Sequence, residues 1–335
     1  MVFTIACPAC KSNQEKQIIN EYHYAQTSKY FCPETRDESR NERYANAVKR
    51  LWKQDIGYFL RCKACGFGFG NPFIGGDDKF YDIVHEQSDY PKNRWEYDLT
   101  INEFFKQIPV LKILDIGSGA GYFLDKVNCS YKFAMEGSET NRVLLKQKGY
   151  HVFTDDNGLI EKNRESFNYI TMFQVLEHIS EFENILTTAN YLSAIDGSLI
   201  ISVPDCEAMI LQEKLTGYPD IFPNHINKWT PHSLELVLNK FGFKKEEVIY
   251  EQASIRKFFD SVHLKISHQA TKNGMFASNI YKIKNKKVRI IFLLFYSLLV
   301  MPSLIPYYKK LSRRGSFLLR AVKINPVLKE GSTQL

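Results

Sequence analysis

A short apolar segment followed by three closely spaced glycines constrains this chain more than any other feature. Lys112–Ile116 has the pattern of a buried strand, and Gly117, Gly119 and Gly121 follow it at once. Glycine tolerates a positive φ and lets a ligand approach the backbone without a Cβ atom in the way. The N–H groups at the start of a following helix can face an anionic group. The segment therefore predicts a strand, turn and helix that together bind a nucleotide-type ligand.

Strand and helix patterns alternate around this turn. The predicted strands are Lys112–Ile116, Tyr131–Met135, His151–Phe153, Phe167–Phe173 and 198–203, with helices at 122–127, 140–148 and Phe182–Leu192. This alternation is typical of a parallel, doubly wound α/β sheet, in which ligands bind at the carboxyl ends of the strands. Two further strands are predicted at Phe243–Tyr250 and 315–323.

The residues around the turn narrow the choice of ligand. In a dinucleotide fingerprint the third glycine would stand at position 122, which is Tyr122 here. Glu136 ends the second strand, where a carboxylate can accept both hydroxyls of a ribose. Asp155 and Asp156 follow the third strand, near the place of an adenine ring. The alternative for Glu136 and Asp155 is that they are ordinary surface acids at strand ends.

Four segments, in order, resemble the motifs of class I S-adenosylmethionine-dependent methyltransferases. They are Leu114-Asp-Ile-Gly-Ser-Gly-Ala-Gly121, Glu136-Gly-Ser138, Phe173-Gln-Val-Leu-Glu-His178 and Ser202-Val-Pro204, within about 95–250. The resemblance implies a Rossmann-like, doubly wound, seven-stranded sheet with an antiparallel seventh strand, and S-adenosylmethionine as cofactor. The cofactor-binding residues that it implies are Asp115, Gly117, Ser118, Gly119, Gly121, Glu136, Gly137, Asp155, Asp156 and Gln174.

Two histidines are candidates for a catalytic role. Methyl transfer from a sulfonium is an in-line displacement, so placing the acceptor against the methyl group can supply much of the rate. A base is needed only where the acceptor must lose a proton. His178 follows the fourth strand, and the segment around His225 resembles the loop that overhangs the acceptor site in this family. The alternative for each histidine is a structural hydrogen-bonding role.

Two C-x-x-C pairs suggest a metal site near the start of the chain. Cys7, Cys10, Cys62 and Cys65 can present four thiolates to one tetrahedral zinc ion, although 51 residues separate the pairs. The arrangement resembles the zinc-ribbon unit that precedes the catalytic domain in sugar and small-molecule methyltransferases. Four cysteine ligands leave no open position, so we predict a structural zinc ion rather than a catalytic one. A redox role is the weaker alternative.

The positive charge of the chain is concentrated in one region. The formal net charge is +7, and eleven Lys and Arg residues with no Asp or Glu lie between Lys282 and Lys323, so the rest of the chain sums to −4 (7 − 11). This region contains nineteen uncharged residues, 290–308, interrupted by Pro302 and Pro306. The prolines and the basic residues at both ends argue against a transmembrane helix. They favour a helix pair at an anionic membrane surface, and packing on protein or dimerisation is the alternative.

These observations predict four segments. They are a zinc-ribbon-like unit with a charged insertion (1–75), a methyltransferase core (76–250), a basic, apolar helical insertion between strands six and seven (251–312), and the last core strand with a tail (313–335). The predicted function is methylation of a small-molecule, glycan or lipid-linked acceptor by a cytoplasmic protein that lies peripherally at the inner membrane face. The alternatives are a nucleic-acid-modifying methyltransferase, which the acidic remainder of the chain disfavours, and a non-catalytic S-adenosylmethionine-binding module.

Overall fold

The computed structural model describes most of the chain. In the described residues, apolar runs and turn residues determine the secondary structure. The described residues are 5–31, 37–86, 91–106, 112–153, 159–272, 274–312 and 315–324. They form two compact units, each made of three segments. Unit 1 comprises Met1–Ser88, Pro204–Thr230 and Glu251–Ser316, and unit 2 comprises Asp89–Val203, Pro231–Tyr250 and Phe317–Leu335.

The secondary-structure elements are numbered in chain order. The strands are β1 (Lys16–His23), β2 (Ile56–Cys62), β3 (Gly68–Asn71), β4 (Lys112–Ile116), β5 (Tyr131–Met135), β6 (His151–Phe153), β7 (Phe167–Phe173), β8 (Ser193–Pro204), β9 (Asn227–Lys228), β10 (Phe243–Tyr250) and β11 (Ser316–Lys323). The helices are α1 (Tyr24–Phe31), α2 (Glu38–Trp52), α3 (Asp78–His85), α4 (Trp95–Leu99), α5 (Tyr122–Lys126), α6 (Glu139–Gln147), α7 (Leu159–Lys162), α8 (Phe182–Leu192), α9 (Cys206–Thr216), α10 (Pro231–Lys240), α11 (Ile255–Ala270), α12 (Phe276–Tyr281), α13 (Lys286–Val300) and α14 (Tyr308–Leu311). A π-helical turn spans Thr100–Phe104, and 3-10 turns span Met301–Ser303 and Ile305–Tyr307.

A seven-stranded mixed sheet organises unit 2. Its strand order is β10-β11-β8-β7-β4-β5-β6. Strand β4 lies at the centre, parallel to β5 and β7, while β11 is antiparallel to β10. The side chains of Ile113, Leu114 and Ile116 are all buried, as expected of a central parallel strand that is covered on both faces. The predicted Rossmann-like, doubly wound sheet with an antiparallel seventh strand is confirmed.

Unit 1 contains a four-stranded antiparallel sheet in the order β1-β2-β3-β9. Helix α2, which begins after the N-cap Asp37, places the buried side chains of Tyr44, Val48 and Trp52 in the core beside this sheet. One face of α2, within the charged insertion, is therefore part of the core of unit 1. The centroid of the Trp52 ring lies 4.7 Å from that of Phe222, a residue 170 positions further along the chain.

A helical subdomain completes unit 1. Phe258, Val262, Val300 and Leu304 share a buried apolar cluster that joins α11 to the region of α13. The predicted N-terminal unit (1–75) and the whole of the predicted 251–312 insertion fall within the same compact unit, unit 1. No single helix of the described residues is long and apolar enough to cross a membrane, although Lys286–Ser303 and Ile305–Leu311 pass that test together as a pair bent by 64°.

Candidate functional site

The glycine turn of unit 2 has the backbone conformation that its sequence requires. Gly117, Gly119 and Gly121 have φ values of 72°, 52° and 80°, all in the left-handed region. The N–H of Gly117 donates to the carbonyl of Met135 at 2.8 Å, which attaches the turn to the end of β5. Helix α5, which follows, has only five residues. The turn itself, rather than a long helix, therefore forms the ligand-facing surface.

Glycine is required at Gly117 for a second reason, which gives a testable prediction. A Cβ atom there would lie 2.4 Å from Cγ2 of Val175, whereas a Cβ at Gly137 would have nothing within 4 Å. We expect Gly117→Ala to lower the free energy of unfolding by about 1–3 kcal/mol, because steric overlap adds to the unfavourable φ. Gly137→Ala is the matched control, and urea denaturation should show little change for it. Equal stability of the two variants would contradict this view of the turn.

Glu136 is held against the glycine turn by two backbone hydrogen bonds. Its Oε2 accepts from the N–H of Gly119 at 2.7 Å, and its Oε1 accepts from the N–H of Ser138 at 2.9 Å. A carboxylate oxygen can accept a second hydrogen bond, so this side chain can also accept two hydroxyl groups. The structure thus holds an oriented carboxylate against the glycine turn, and its contact with a ribose stays a prediction.

A cavity opens beside the turn. It is lined by the turn from Gly117 to Ala120, by Tyr122, and by Arg94, Tyr97, Phe173 and Gln174, among others. Burial raises the pKa of Tyr97, so its phenol is neutral at physiological pH. Sequence analysis missed Arg94 and Tyr97 because they precede the first core strand and belong to no local motif. The guanidinium of Arg94 provides a positive charge that can bind a carboxylate.

Gln174 lines this cavity in a constrained conformation. Its φ is 58°, which is uncommon for a residue other than glycine. Its Nε2 donates to Oε1 of the buried Glu96 at 3.1 Å, and its backbone N–H donates to the carbonyl of Ser202 at 2.9 Å. These contacts determine the direction of the side chain. Gln174 therefore lines the cavity, Glu96 is the group that positions it, and a contact between Gln174 and a cofactor stays a prediction.

Asp115 lies beneath the turn rather than in the cavity lining. Its side chain is buried, and its Oδ1 accepts from the hydroxyl of Thr171 at 2.7 Å. Burial raises the pKa of Asp115 to about 7, and the charge of Glu136 adds to the rise. In this position Asp115 supports the end of β4. A direct contact between Asp115 and a cofactor stays a prediction.

The raised pKa of Asp115 gives a prediction about stability and pH. The protonated form is favoured in the folded protein, so stability is full below the unfolded pKa of about 4 and is lost as the pH rises through about 7. Between about pH 4 and pH 7 we expect the free energy of unfolding of wild type to fall by up to about 4 kcal/mol relative to that of Asp115→Asn. The Asn side chain keeps an acceptor for the Thr171 hydroxyl. The exposed Asp196→Asn is the control. If urea denaturation gives the same stability difference between wild type and Asp115→Asn at every pH, the raised pKa is refuted.

The other residues that are predicted to bind the cofactor differ in their burial and contacts. Ser118 is buried, and its hydroxyl donates to the carbonyl of Asp115. Gly137 is exposed, with open space around its Cα. Asp155 and Asp156 lie outside the described residues, so the predicted adenine contacts there stay predictions.

The two predicted catalytic histidines lie in different units. His178 belongs to unit 2, is half-buried, and its Nε2 lies 4.0 Å from Oε1 of the buried Glu177. His225 belongs to unit 1, and its Nδ1 lies 2.8 Å from Oδ2 of Asp220. Lys228 also approaches Asp220, with Nζ 3.6 Å from the same oxygen. A carboxylate at Nδ1 fixes the orientation and the tautomer of a histidine ring.

Four cysteines of unit 1 come together as the sequence predicts. The Sγ atoms of Cys7 and Cys65 are 3.7 Å apart, as are those of Cys10 and Cys62, and all four lie within 4.8 Å of one another. Tetrahedral zinc with Zn–S bonds of about 2.3 Å places its sulfurs about 3.8 Å apart. No disulfide joins the cysteines of the described residues. The donor set therefore fits a structural zinc ion in both chemistry and spacing.

The backbone around this cluster repeats one turn at each cysteine pair. Lys11 and Gly66, which follow Cys10 and Cys65, have φ values of 61° and 76°. The N–H of Lys11 donates to the carbonyl of Cys7 at 2.8 Å, and the N–H of Gly66 donates to that of Cys62 at 2.9 Å. Each pair thus forms a tight turn that directs two thiols to one point.

Comparison with known proteins agrees with this geometry. The sheet and the glycine turn are those of an α/β protein in which a ligand can bind at the carboxyl ends of the strands. Residues 86–248 match the family model described as a methyltransferase domain. This match supports a methyltransferase domain within the chain and an enzyme of that class. No curated protein sequence matches the chain.

Solved structures with similar folds have low sequence identity. An S-adenosylmethionine-dependent methyltransferase from Archaeoglobus fulgidus is 15% identical with a TM-score of 0.45, and the match covers 73% of this chain and 100% of that one. For a second such enzyme, from Mesorhizobium loti, the identity is 14%, the TM-score 0.39 and the coverage 64% and 91%.

Proposed function

We propose that this methyltransferase binds S-adenosylmethionine at the glycine turn and transfers its methyl group in line to a small-molecule or glycan acceptor, which can be lipid-linked. The observation that carries the cofactor site is the fixed position of the Glu136 carboxylate against the N–H of Gly119, at 2.7 Å. It brings a ribose-type acceptor group and a glycine turn together at the carboxyl ends of β4 and β5.

The residues of this cavity match the chemical groups of the cofactor. Glu136 would accept the ribose hydroxyls, and Arg94 would bind the carboxylate of the methionine part. Gly117 and Gly119 would leave room for the same part to lie against the backbone. When bound, the cofactor supplies an electrophilic sulfonium methyl group. The role of unit 2 is then to hold and orient it, since orientation can supply much of the rate of an in-line displacement.

A cavity within unit 1 supports a polar acceptor. It has a volume of about 240 Å³, and aromatic rings such as Tyr30 and Tyr218 line it together with Gln212, Glu213 and Asp220. Both Tyr22 and Asn20 donate to Oε1 of Glu213, at 2.7 and 2.6 Å, so that half-buried carboxyl group is oriented. A few oriented polar groups among aromatic side chains are typical of small-molecule sites. We propose this cavity as the acceptor pocket.

His225 is the base that we propose for an acceptor that must lose a proton. Its partner Asp220 also lines the unit 1 cavity. With Nδ1–H donating to Asp220, Nε2 can accept the proton of a hydroxyl or ammonium group. We expect His225→Gln to lower kcat by about 100-fold, while the dissociation constant of S-adenosylmethionine stays unchanged. An unchanged kcat would exclude this role.

A transfer assay with methyl-labelled S-adenosylmethionine tests the function as a whole. We expect labelling of free or lipid-linked glycans and of small hydroxyl or amine compounds, but not of RNA or DNA. Gln212→Ala should raise the KM of the acceptor without changing cofactor binding, and the exposed Gln147→Ala should change neither. Labelling of nucleic acid instead would overturn the proposed acceptor class. Cofactor binding without any transfer would support a non-catalytic binding module.

A further inference from the structure

We propose that the outer face of the α13 region binds the surface of an anionic lipid bilayer without crossing it. This region comprises Lys286–Val300 and the two 3-10 turns that follow, and it belongs to unit 1. The proposal concerns where the protein works and rests on exposed apolar and basic side chains, independently of the methyl-transfer chemistry.

Large apolar side chains cover the outer face of α13. Leu294, Phe295, Leu298 and Leu299 are 63%, 66%, 60% and 74% exposed. An exposed face of a helix in water normally carries polar residues, and a helix that is apolar on all sides belongs in a protein core or in lipid. These four residues are neighbours at helical spacing, so they form one patch rather than scattered exposed positions. The patch therefore needs an apolar environment.

The opposite face of α13 is already packed against protein. Val300 is buried, and Leu293 and Tyr296 contact the same apolar cluster as Phe258 and Val262 of α11. This packing fixes the helix along the surface of unit 1 and turns its other face outward. A helix fixed in this way can enter a bilayer only to the depth of its exposed face, which is the geometry of interfacial helices.

Basic side chains at both ends of the patch are complementary to anionic lipid. Five Lys and Arg residues lie between Lys282 and Arg289, and Lys309 and Lys310 follow the apolar segment. No described carboxylate lies within ion-pair distance of any of the seven. Anionic headgroups attract juxtamembrane lysines and arginines. A second copy of this chain would instead present the same positive charges, which repel one another. The charge pattern therefore favours lipid over self-association.

Two further features are consistent with a bilayer surface. Tyr307 and Tyr308, both 39–40% exposed, follow the bend and precede the basic residues. Tyrosine is enriched where headgroups meet the acyl region. On α12, Phe276 is 55% exposed and its ring centroid lies 5.6 Å from that of Tyr296 on α13. The apolar surface thus extends beyond one helix.

Vesicle co-sedimentation of the full-length protein tests this proposal. We expect binding to vesicles that contain phosphatidylglycerol, weaker binding at high salt, and little binding to phosphatidylcholine alone. Leu298→Gln combined with Leu299→Gln should reduce the partition coefficient at least about tenfold, since two apolar side chains leave the contact. Lys286→Ala combined with Lys287→Ala should reduce it by a similar factor. Because all four side chains are exposed, the melting temperature should not change.

Two variants in unit 2 are matched controls. Ile195→Gln replaces an apolar side chain that is 52% exposed, and Lys146→Ala removes an exposed charge from α6. Both should bind vesicles as wild type does. Equal binding to neutral and anionic vesicles would overturn the electrostatic part of the proposal. No vesicle binding, together with a dimer that the leucine substitutions dissociate, would overturn the whole and assign the patch to self-association.

Discussion

Glu136→Ala is expected to weaken S-adenosylmethionine binding by about 100-fold or more. Two hydrogen bonds from ribose hydroxyls to a carboxylate contribute about 1.5–3 kcal/mol each, and every 1.4 kcal/mol corresponds to a factor of ten. The substitution also leaves the N–H groups of Gly119 and Ser138 without their carboxylate acceptor, so the turn itself loses support. Titration calorimetry on wild type and variant measures the difference.

Glu139→Ala is the matched control for this prediction. Glu139 lies three residues further along, is exposed, and pairs with Arg142 on the surface of α6. Its removal should change the affinity for S-adenosylmethionine less than twofold, because an exposed pair contributes little. If both variants bind the cofactor as wild type does, Glu136 does not hold the ribose.

Replacement of a clustered cysteine is expected to have the second-largest effect. Cys65→Ser should remove close to one equivalent of bound zinc per chain, since four sulfurs at this spacing bind one ion. We further expect the melting temperature of the protein to fall by several degrees or unit 1 to unfold, because structural zinc contributes directly to folding. Metal analysis and thermal unfolding with and without a chelator measure both effects.

Cys129→Ser serves as the control for the zinc prediction. Cys129 is half-buried in unit 2, outside the cluster. The Cys129→Ser variant should retain zinc and respond to chelator as wild type does. Purified wild type that contains no zinc, and whose melting temperature is the same with added zinc or chelator, would contradict the metal site.

The sequence predicted the core of unit 2 closely because its signals are local. The apolar runs of β4, β5 and β7 are followed directly by Gly117, Glu136 and Gln174, which mark the carboxyl ends of the strands. The predicted bounds of these three strands therefore equal the observed ones. Strand β8 begins at Ser193 rather than near Ser198, and no continuous buried apolar run marks this start, because Ile195 and Asp196 are exposed. Main-chain pairing with β7, rather than apolar character, extends this strand.

Unit 1 was harder to predict because its contacts are non-local. A Cβ atom at Gly57 or Gly70 would lie 2.6 or 2.5 Å from the ring of Phe222, so these glycines make room for a residue that is more than 150 positions away. Nothing near Gly57 or Gly70 in the sequence reveals that partner. Arg94 belongs to no local motif and so could not be recognised as a residue of the unit 2 cavity, whereas Glu136 could be proposed because it directly follows a recognisable strand.

The most direct test of the central claim is calorimetric titration of the wild-type protein with S-adenosylmethionine. We expect saturable binding at one site per chain, competition by S-adenosylhomocysteine, and no binding of NAD, because Tyr122 occupies the position of the third glycine in a dinucleotide fingerprint. Absence of S-adenosylmethionine binding by folded, zinc-loaded protein, or preferential binding of NAD, would contradict it.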